Sequence, residues 1–329
     1  MSAFTHKKMT DSLLPFAADL GASSHFFTSE QAIELNTPTG VIKGTLTSPA
    51  GTSKTPVVVI VAGSGPTDRN GNTPMLPGRN DSLKLLAAAL GRQGVASVRY
   101  DKRGIAESAS AARHESELRI EDYVQDTASW VTKLAGDSRF SGVVILGHSE
   151  GSLIGMLAAQ RCPTRAFISI AGAAEKAAAI LRRQLRGQLP PDLAEQSETI
   201  LSSLEAGHTS VDVPTPLTVL YRPSVQPYLI SWFKYSPTDE LAKLKVPCLI
   251  VQGETDIQVG VSDAQALHAA RHECQLKIIA GMNHVLKMVP ADHDKQIASY
   301  SDPGLPLAAE LIESLEQFFS NSSVRVAVD

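Results

Sequence analysis

The sequence contains few cysteines, and none of them lies in a recognisable motif. Cys162, Cys248 and Cys274 are odd in number and widely spaced, and no CxxC pair occurs. Zinc sites and disulfide frameworks need cysteines at short or repeated spacings. We therefore expect no metal site and no disulfide framework. Each cysteine has apolar neighbours, which is typical of a small buried side chain.

The chain also lacks a long apolar run. No stretch approaches the ~18 uninterrupted apolar residues of a transmembrane helix. Near the N-terminus, Pro15 and Asp19 interrupt the apolar patch at 13–20, which makes a poor signal peptide. We expect a cytoplasmic protein without a membrane partner.

Charge of one sign is nowhere concentrated. Thirty basic residues oppose thirty-four acidic ones, which gives a net charge of −4, and no long run of Lys or Arg occurs. This balance gives no reason to expect a nucleic acid partner. Apolar residues make up 43% of the chain and charged residues 19%. These fractions exclude a disordered or collagen-like chain and are typical of a globular protein.

Short apolar runs alternate with helical patterns along most of the 329 residues. Near-continuous apolar strands separated by helices indicate a parallel sheet with helices on both faces, an α/β fold. The predicted strands are 56–62, 95–100, 142–146, 166–171, 247–251 and 275–280, preceded by an antiparallel hairpin at 32–36 and 41–47. The predicted core helices are 81–90, 120–134, 149–160, 263–270 and 307–319.

The alternation fails between about Gly172 and Leu241. This stretch is helical at first and then rich in proline, and an insertion of that length between two core strands is typical of a lid. We therefore predict an α/β core with a mainly helical cap. The predicted divisions are an N-terminal extension at 1–30, a core at 31–172 and 241–329, and a cap at 173–240.

A G-x-S-x-G motif occurs as GHSEG at 147–151. It directly follows one predicted strand and opens a predicted helix, which is the setting of a nucleophile turn. A serine on such a turn projects its hydroxyl above the sheet, and the helix N-terminus favours developing negative charge. Ser149 is therefore the candidate nucleophile. The alternative is an ordinary strand–helix turn whose glycines serve packing.

A serine hydroxyl needs a base within hydrogen-bond reach. Among the nine histidines, His284 follows the strand at 275–280, at the edge of the sheet where catalytic groups gather. His148 adjoins the serine but is expected to point elsewhere, and His268 and His272 fit a solvated helix face. His284 is therefore the candidate base, with an exposed loop histidine as the alternative.

A carboxylate is needed to fix the tautomer of the base. The loop after the strand at 247–251 holds Glu254 and Asp256. We place Asp256 ahead of Glu254 because the side chain must reach across to His284. The chain order Ser149, Asp256, His284 is the order of this fold class.

Acyl transfer also requires N–H donors for a developing oxyanion. One predicted donor is the N–H of Glu150, directly after the serine. The other comes from the loop Gly63-Ser64-Gly65-Pro66, with Ser64 as first choice and Gly65 as second. A phosphate cradle is the alternative for such a loop, but neither phosphate-binding glycine motif occurs there.

These segments resemble the α/β-hydrolase superfamily, from about Ala32 to Phe319. Four of them are similar to bacterial serine carboxylesterases and their serine-aminopeptidase-like relatives: AGSGPTDRNGN at 62–72, YDKRG at 100–104, GHSEG at 147–151 and GETD at 253–256. The resemblance implies a catalytic triad of Ser149, Asp256 and His284, without metal or organic cofactor. Ala106 departs from a pattern in which such enzymes often have glycine. We interpret YDKRG itself as a charged structural turn near the site.

The predicted function is hydrolysis of carboxylic esters through an acyl-enzyme, with a small-molecule ester of short acyl chain as substrate. The same triad could cleave amides, peptides or thioesters, or transfer acyl groups, and a non-catalytic binding protein is a further alternative. In the cap, the aromatic residues Tyr221, Tyr228, Trp232 and Phe233 are candidates for an acyl pocket. They could equally anchor the cap to the core. Association into a homo-oligomer is left open.

Overall fold

The computed structural model describes residues 27–51 and 54–321. The predicted N-terminal extension therefore lies almost wholly outside the described residues, as does the end of the chain. Within them the protein forms one sheet of eight strands. The strands are β1 (Thr28–Thr37), β2 (Gly40–Pro49), β3 (Thr55–Val61), β4 (Ala96–Tyr100), β5 (Phe140–His148), β6 (Thr164–Ile170), β7 (Cys248–Gly253) and β8 (Gln275–Ile279).

The sheet is mostly parallel, in the order β1-β2-β4-β3-β5-β6-β7-β8. Only the pairs β1–β2 and β2–β4 are antiparallel, so that the predicted hairpin forms one edge. The parallel pairing begins at β4 and continues through β8. All six predicted core strands are confirmed within a few residues. The apolar runs of the five inner strands are buried on both faces, whereas the edge strand β8 is only partly buried.

The helices of the described chain occupy the segments between the strands. They are α1 (Ser82–Arg92), α2 (Ile120–Ala135), α3 (Glu150–Ala159), α4 (Ala177–Leu185), α5 (Pro191–Glu205), α6 (Thr218–Tyr221), α7 (Gln226–Trp232), α8 (Pro237–Ala242), α9 (Val261–Ala270), α10 (His293–Ser299) and α11 (Ala309–Ser320). Short 3-10 segments lie at Ala106–Ala111, Glu115–Glu117 and Thr215–Leu217.

Two apolar cores cover the two faces of the sheet. Along β3, Val57 and Val59 point to the face that packs against α2, α3 and α9, whereas Val58 and Ile60 point to the face covered by α1 and α11. This alternation follows from the two-residue period of a strand. The parallel strands are therefore apolar on both sides, as the sequence predicts.

Helices α4 to α8 lie between β6 and β7, in the region predicted to be a cap. Helix α5 contacts α4 and α7, and α7 contacts α2 of the core. The last of these helices, α8, packs against α3 and α9. The division of the chain at 173 and 240 stays a prediction.

The carboxyl ends of the parallel strands share one edge of the sheet. The residues that follow β3, β4, β5, β7 and β8 include Gly63, Lys102, Ser149, Asp256 and His284, respectively. Open parallel sheets bind their ligands at this edge. Within residues 27–51 and 54–321, no helix is long and apolar enough to span a membrane.

Candidate active site

Ser149 lies on the tight turn between β5 and α3 with a strained backbone. Its φ of 56° and ψ of −123° fall outside the regions that residues with a Cβ ordinarily occupy. Its N–H donates to the Ile170 carbonyl of β6 at 2.9 Å, and its carbonyl accepts from the Ser152 N–H at 2.9 Å. The neighbouring strand and the first turn of α3 thus hold the strained conformation in place.

The two glycines of the motif are required by close backbone approach. A Cβ on Gly147 would lie 2.2 Å from the Gly151 carbonyl oxygen, and a Cβ on Gly151 would lie 2.2 Å from the Val61 carbonyl oxygen. No side chain fits at either position without moving the backbone. The two glycines of the G-x-S-x-G motif are needed because α3 packs so closely against β3 and the end of β5.

Asp256 and His284 are brought together by the loops after β7 and β8. The Thr255 N–H donates to the Met282 carbonyl at 3.1 Å, which joins the two loops. The imidazole Nδ1 of His284 then lies 2.8 Å from Oδ2 of Asp256. Glu254, the competing carboxylate, is exposed to solvent. The structure thus pairs His284 with Asp256.

The carboxylate of Asp256 is fully buried and held from several sides. Its Oδ1 accepts the backbone N–H groups of Gln258 at 2.7 Å and Val259 at 3.0 Å, and its Oδ2 also accepts from Nε2 of Gln252 at 3.0 Å. Burial alone would raise the pKa of Asp256, but the His284 ring and these hydrogen bonds outweigh it, so that the pKa lies below its ordinary value. Asp256 is therefore an anion oriented toward His284.

Ser149 and His284 line the same cavity, which has a volume of about 940 Å³. The hydrogen bonds of the described residues join His284 to Asp256 but include none between the Ser149 hydroxyl and the imidazole. Contacts between a nucleophile and its base are often long without substrate and shorten in the reacting complex.

His148 is buried behind the predicted base rather than beside the serine hydroxyl. Its Nε2 donates to the His284 carbonyl at 2.8 Å, and the two ring centroids are 4.9 Å apart. Burial and the neighbouring His284 lower the pKa of His148 to about 4. His148 is therefore a neutral ring that supports the backbone of His284, a role that the sequence did not suggest.

The predicted oxyanion loop also faces the cavity. Gly63, Ser64 and Gly65 line it together with Ser149 and Glu150. A Cβ on Gly63 would lie 3.1 Å from the Cβ of Ser149, which measures how closely the loop approaches the turn. Within residues 27–51 and 54–321, neither the Ser64 N–H nor the Glu150 N–H donates a hydrogen bond. The assignment of these two N–H groups as oxyanion donors stays a prediction.

The four aromatic residues of the predicted cap that were candidates for the acyl pocket divide into two pairs. Tyr228 and Trp232, both on α7, line the cavity. Tyr221 and Phe233 instead pack into the apolar core, and the Tyr221 hydroxyl lies 2.9 Å from Oγ of Ser197 on α5. Tyr221 and Phe233 thus agree with the alternative that these residues anchor the predicted cap to the core. Residues of a short helix differ in this way because successive side chains face different directions.

Lys102 is a site residue that the sequence analysis treated as part of a structural turn. Its side chain is 2% exposed, and its ammonium donates to the Gly63 carbonyl at 2.6 Å and to Oε2 of Glu150 at 2.9 Å. The Tyr228 hydroxyl donates to the other oxygen of the same carboxylate at 2.6 Å. The sequence did contain a signal for this role. The YDKRG segment comes at the end of a central strand, which places Lys102 at the edge of the sheet where the strands' carboxyl ends meet.

Replacement of His148 tests its burial as a neutral ring. The folded protein holds the pKa of His148 near 4 and the unfolded chain near 6.5, so the unfolded chain binds more protons between these values. We therefore expect the free energy of unfolding to fall by up to about 3 kcal/mol as the pH drops through this window. His148→Gln keeps an N–H donor but does not titrate. Its free energy of unfolding, measured with urea across the pH range, should therefore lack this pH-dependent fall. Equal pH dependence in the two proteins would contradict this assignment.

Comparison with known proteins agrees with the geometry. A family model described as serine aminopeptidase, S33, matches residues 78–215, which include Ser149. Esterase EstD of Thermotoga maritima is 26% identical over 264 residues, which cover 78% of this chain. The matched part spans only 61% of the length of that relative.

Solved structures share the fold at low sequence identity. Est1E from Butyrivibrio proteoclasticus, in its complex with ferulic acid, gives a TM-score of 0.58 at 20% identity, covering 87% of this chain and 98% of its own. The acylaminoacyl peptidase of Pyrococcus horikoshii gives 0.54 at 15% identity, covering 89% of this chain and 41% of its own. Together with the eight-stranded, mostly parallel sheet, these similarities show that the chain has the α/β-hydrolase fold.

Proposed function

We propose that this protein is a serine hydrolase that cleaves carboxylic esters through an acyl-enzyme intermediate. The observation that carries the proposal is the convergence of three side chains at one edge of the sheet. Ser149 and His284 face a common cavity, and buried Asp256 holds the ring of His284 at 2.8 Å. This arrangement supplies a nucleophile, a base and the group that orients the base.

In the first half of the reaction, the Ser149 hydroxyl attacks the ester carbonyl while Nε2 of His284 takes its proton. The Asp256 carboxylate accepts Nδ1–H and stabilises the imidazolium that forms. This role needs an ionised aspartate, which agrees with the lowered pKa of Asp256. The N–H groups of Ser64 and Glu150 bind the oxyanion of the tetrahedral intermediate. His284 then returns the proton to the departing alcohol, which leaves an acyl group on Ser149.

Water completes the cycle by the same steps in the second half. His284 takes a proton from the water molecule as that water attacks the acyl carbonyl. The second tetrahedral intermediate uses the same two N–H groups, and its collapse releases the acid and regenerates the Ser149 hydroxyl. Helix α3 begins directly after Ser149, so the positive end of its dipole favours the negative charge that develops in both intermediates.

The cavity favours an apolar substrate larger than the short acyl esters expected from the sequence. Its walls carry mainly aliphatic and aromatic side chains, among them Leu76, Ile105, Leu118, Leu153, Leu181 and Leu229. A volume of about 940 Å³ lies in the range of sites for drug-sized ligands. We therefore extend the proposed substrates to small-molecule esters with medium-length acyl groups.

Amide hydrolysis is the second candidate function. The family match is described as a serine aminopeptidase, and one fold neighbour is an acylaminoacyl peptidase. The same triad and oxyanion donors serve both reactions, so the leaving group separates them. Matched p-nitrophenyl esters and p-nitroanilides of the same acyl group give that comparison, and faster turnover of the anilide would replace the ester proposal.

Removal of the serine hydroxyl is the direct test of the nucleophile. We expect Ser149→Ala to lower kcat for p-nitrophenyl butyrate by roughly 10⁴-fold or more, because the covalent step is lost. The same variant should resist labelling by a fluorophosphonate probe. Ser64→Ala is a matched control, since it removes a side-chain hydroxyl but keeps the backbone N–H. Retained turnover in Ser149→Ala would refute the proposal, and a wild-type protein that does not react would indicate a binding protein.

The length of the acyl chain tests the apolar cavity. Each methylene that becomes buried contributes ≈ 0.8 kcal/mol, or up to about fourfold in kcat/KM. We expect kcat/KM to rise from the acetate through the butyrate to the hexanoate in a series of p-nitrophenyl esters. The leaving group is constant in this series, so only the acyl contact changes. A steady fall from the acetate onward would place the apolar walls outside the acyl site.

A further inference from the structure

A buried ion pair lies directly beneath the predicted oxyanion site. The Lys102 ammonium and the Glu150 carboxylate are 2.9 Å apart, and both side chains are only 2% exposed. The ammonium also donates to the Gly63 carbonyl at 2.6 Å and lies 5.0 Å from the centre of the Tyr123 ring. Neither charged group belongs to the triad, so the reaction outlined above leaves both unexplained.

We propose that Lys102 and Glu150 are positioning residues that orient the two oxyanion donors, and that Tyr228 holds this pair from α7. The inference rests on the proposed ester hydrolysis and deepens it. In this arrangement the buried Lys102 ammonium fixes the N–H groups of Ser64 and Glu150 relative to each other.

The first donor is oriented through the geometry of its peptide. The Gly63 carbonyl and the Ser64 N–H belong to the same planar unit, and in a trans peptide they point in opposite directions. A hydrogen bond from Lys102 to the carbonyl therefore fixes the direction of the N–H. Without it, Gly63 leaves this peptide freer to rotate, because a residue without a Cβ restricts its backbone dihedrals least. The bond to a cation also polarises the peptide and strengthens its N–H as a donor.

The second donor is fixed through its own side chain. Glu150 lines the cavity at the start of α3, and its carboxylate accepts a hydrogen bond from the same ammonium at 2.9 Å. Lys102 thereby links the loop after β3 to the first residue of α3. The distance between the two N–H groups is set by one charged side chain as well as by the backbone of each loop.

Tyr228 completes the arrangement from the predicted cap. Its hydroxyl donates to Oε1 of Glu150 at 2.6 Å, so both carboxylate oxygens are held. Burial and the charge of Glu150 raise the pKa of Tyr228 well above its ordinary value, which keeps the hydroxyl protonated as a donor. Through this contact, the position of α7 influences the oxyanion site.

Stability alone does not account for the pair. The desolvation of two buried charges usually offsets their attraction, and replacing such pairs with apolar residues is often neutral or stabilising. The chain offers a matched comparison in the next residue. Arg103 forms a buried ion pair with Asp126 at 2.6 Å, but its other hydrogen bonds go to Thr39 and Ala111 rather than to the oxyanion loop.

The test compares paired apolar substitutions at these two ion pairs. In Lys102→Met/Glu150→Leu no charge is left unpaired and the Glu150 N–H remains, so a role in charge compensation alone predicts wild-type kcat. We expect instead a fall in kcat of about 30- to 100-fold with KM changed less than threefold, below the 10²–10³-fold loss for a removed donor. Affinity for an alkyl boronic acid, which mimics the tetrahedral intermediate, should fall by a similar factor. Arg103→Met/Asp126→Leu should change the melting temperature but leave kcat near wild type.

Tyr228→Phe keeps the test decisive if the paired variant does not fold. It removes one hydroxyl and should lower kcat by about three- to tenfold at unchanged KM. Wild-type kcat and boronic acid affinity in the folded paired variant, or in Tyr228→Phe when the pair does not fold, would overturn the inference. Absence of Ser149-dependent ester turnover in the wild type would instead overturn the proposed function, so the two failures are distinguishable.

Discussion

The strained backbone of Ser149 is the constraint on which the site depends. A residue with a Cβ holds a φ of 56° and a ψ of −123° only when its surroundings leave no other choice. Here Gly147 and Gly151 let the turn close against β3, and the Ile170 carbonyl of β6 binds the Ser149 N–H. Both strands flank β5, so the turn requires the central strands to be in register. The hydroxyl, the cavity and the oxyanion donors all take their positions from it.

Buried charge is used in two different ways at this edge of the sheet. Asp256 is held by two backbone N–H groups and a glutamine, and this support leaves it an anion aimed at His284. Lys102 and Glu150 form a separate pair beneath the oxyanion loop. The first charge stabilises the cation that forms on the base, whereas we infer that the second pair fixes the donors for the anion that forms on the substrate. Both sets lie in a poorly hydrated region, where electrostatic interactions are stronger than in water.

The sequence predicted the framework because its signals are local. Apolar runs such as 56–62 are buried on both faces, and the helices between them have clear patterns, so both appear in the structure close to the predicted bounds. The pairing of Asp256 with His284 followed from the order of strands and loops. In each case the chain near the residue determines where that residue lies.

The remaining site residues depend on long-range packing, which one sequence does not display. Lys102 reaches the oxyanion loop only because β4 lies beside β3, and YDKRG by itself is compatible with an exposed turn. The ring of His148 turns toward the His284 backbone, although its sequence neighbour is Ser149. Tyr221 and Tyr228 lie in one aromatic segment, yet only the second faces the cavity. The direction of a side chain on a short helix is set by what that helix packs against.

A crystal structure of the protein after reaction with an alkyl p-nitrophenyl phosphonate would test the central claim most directly. The account predicts phosphorus bonded to Oγ of Ser149 and a phosphonyl oxygen about 3 Å from the N–H nitrogens of Ser64 and Glu150. It also predicts His284 within hydrogen-bond distance of Oγ while its ring keeps the contact with Asp256. An adduct on another residue, or a phosphonyl oxygen that faces solvent away from both N–H groups, would contradict it.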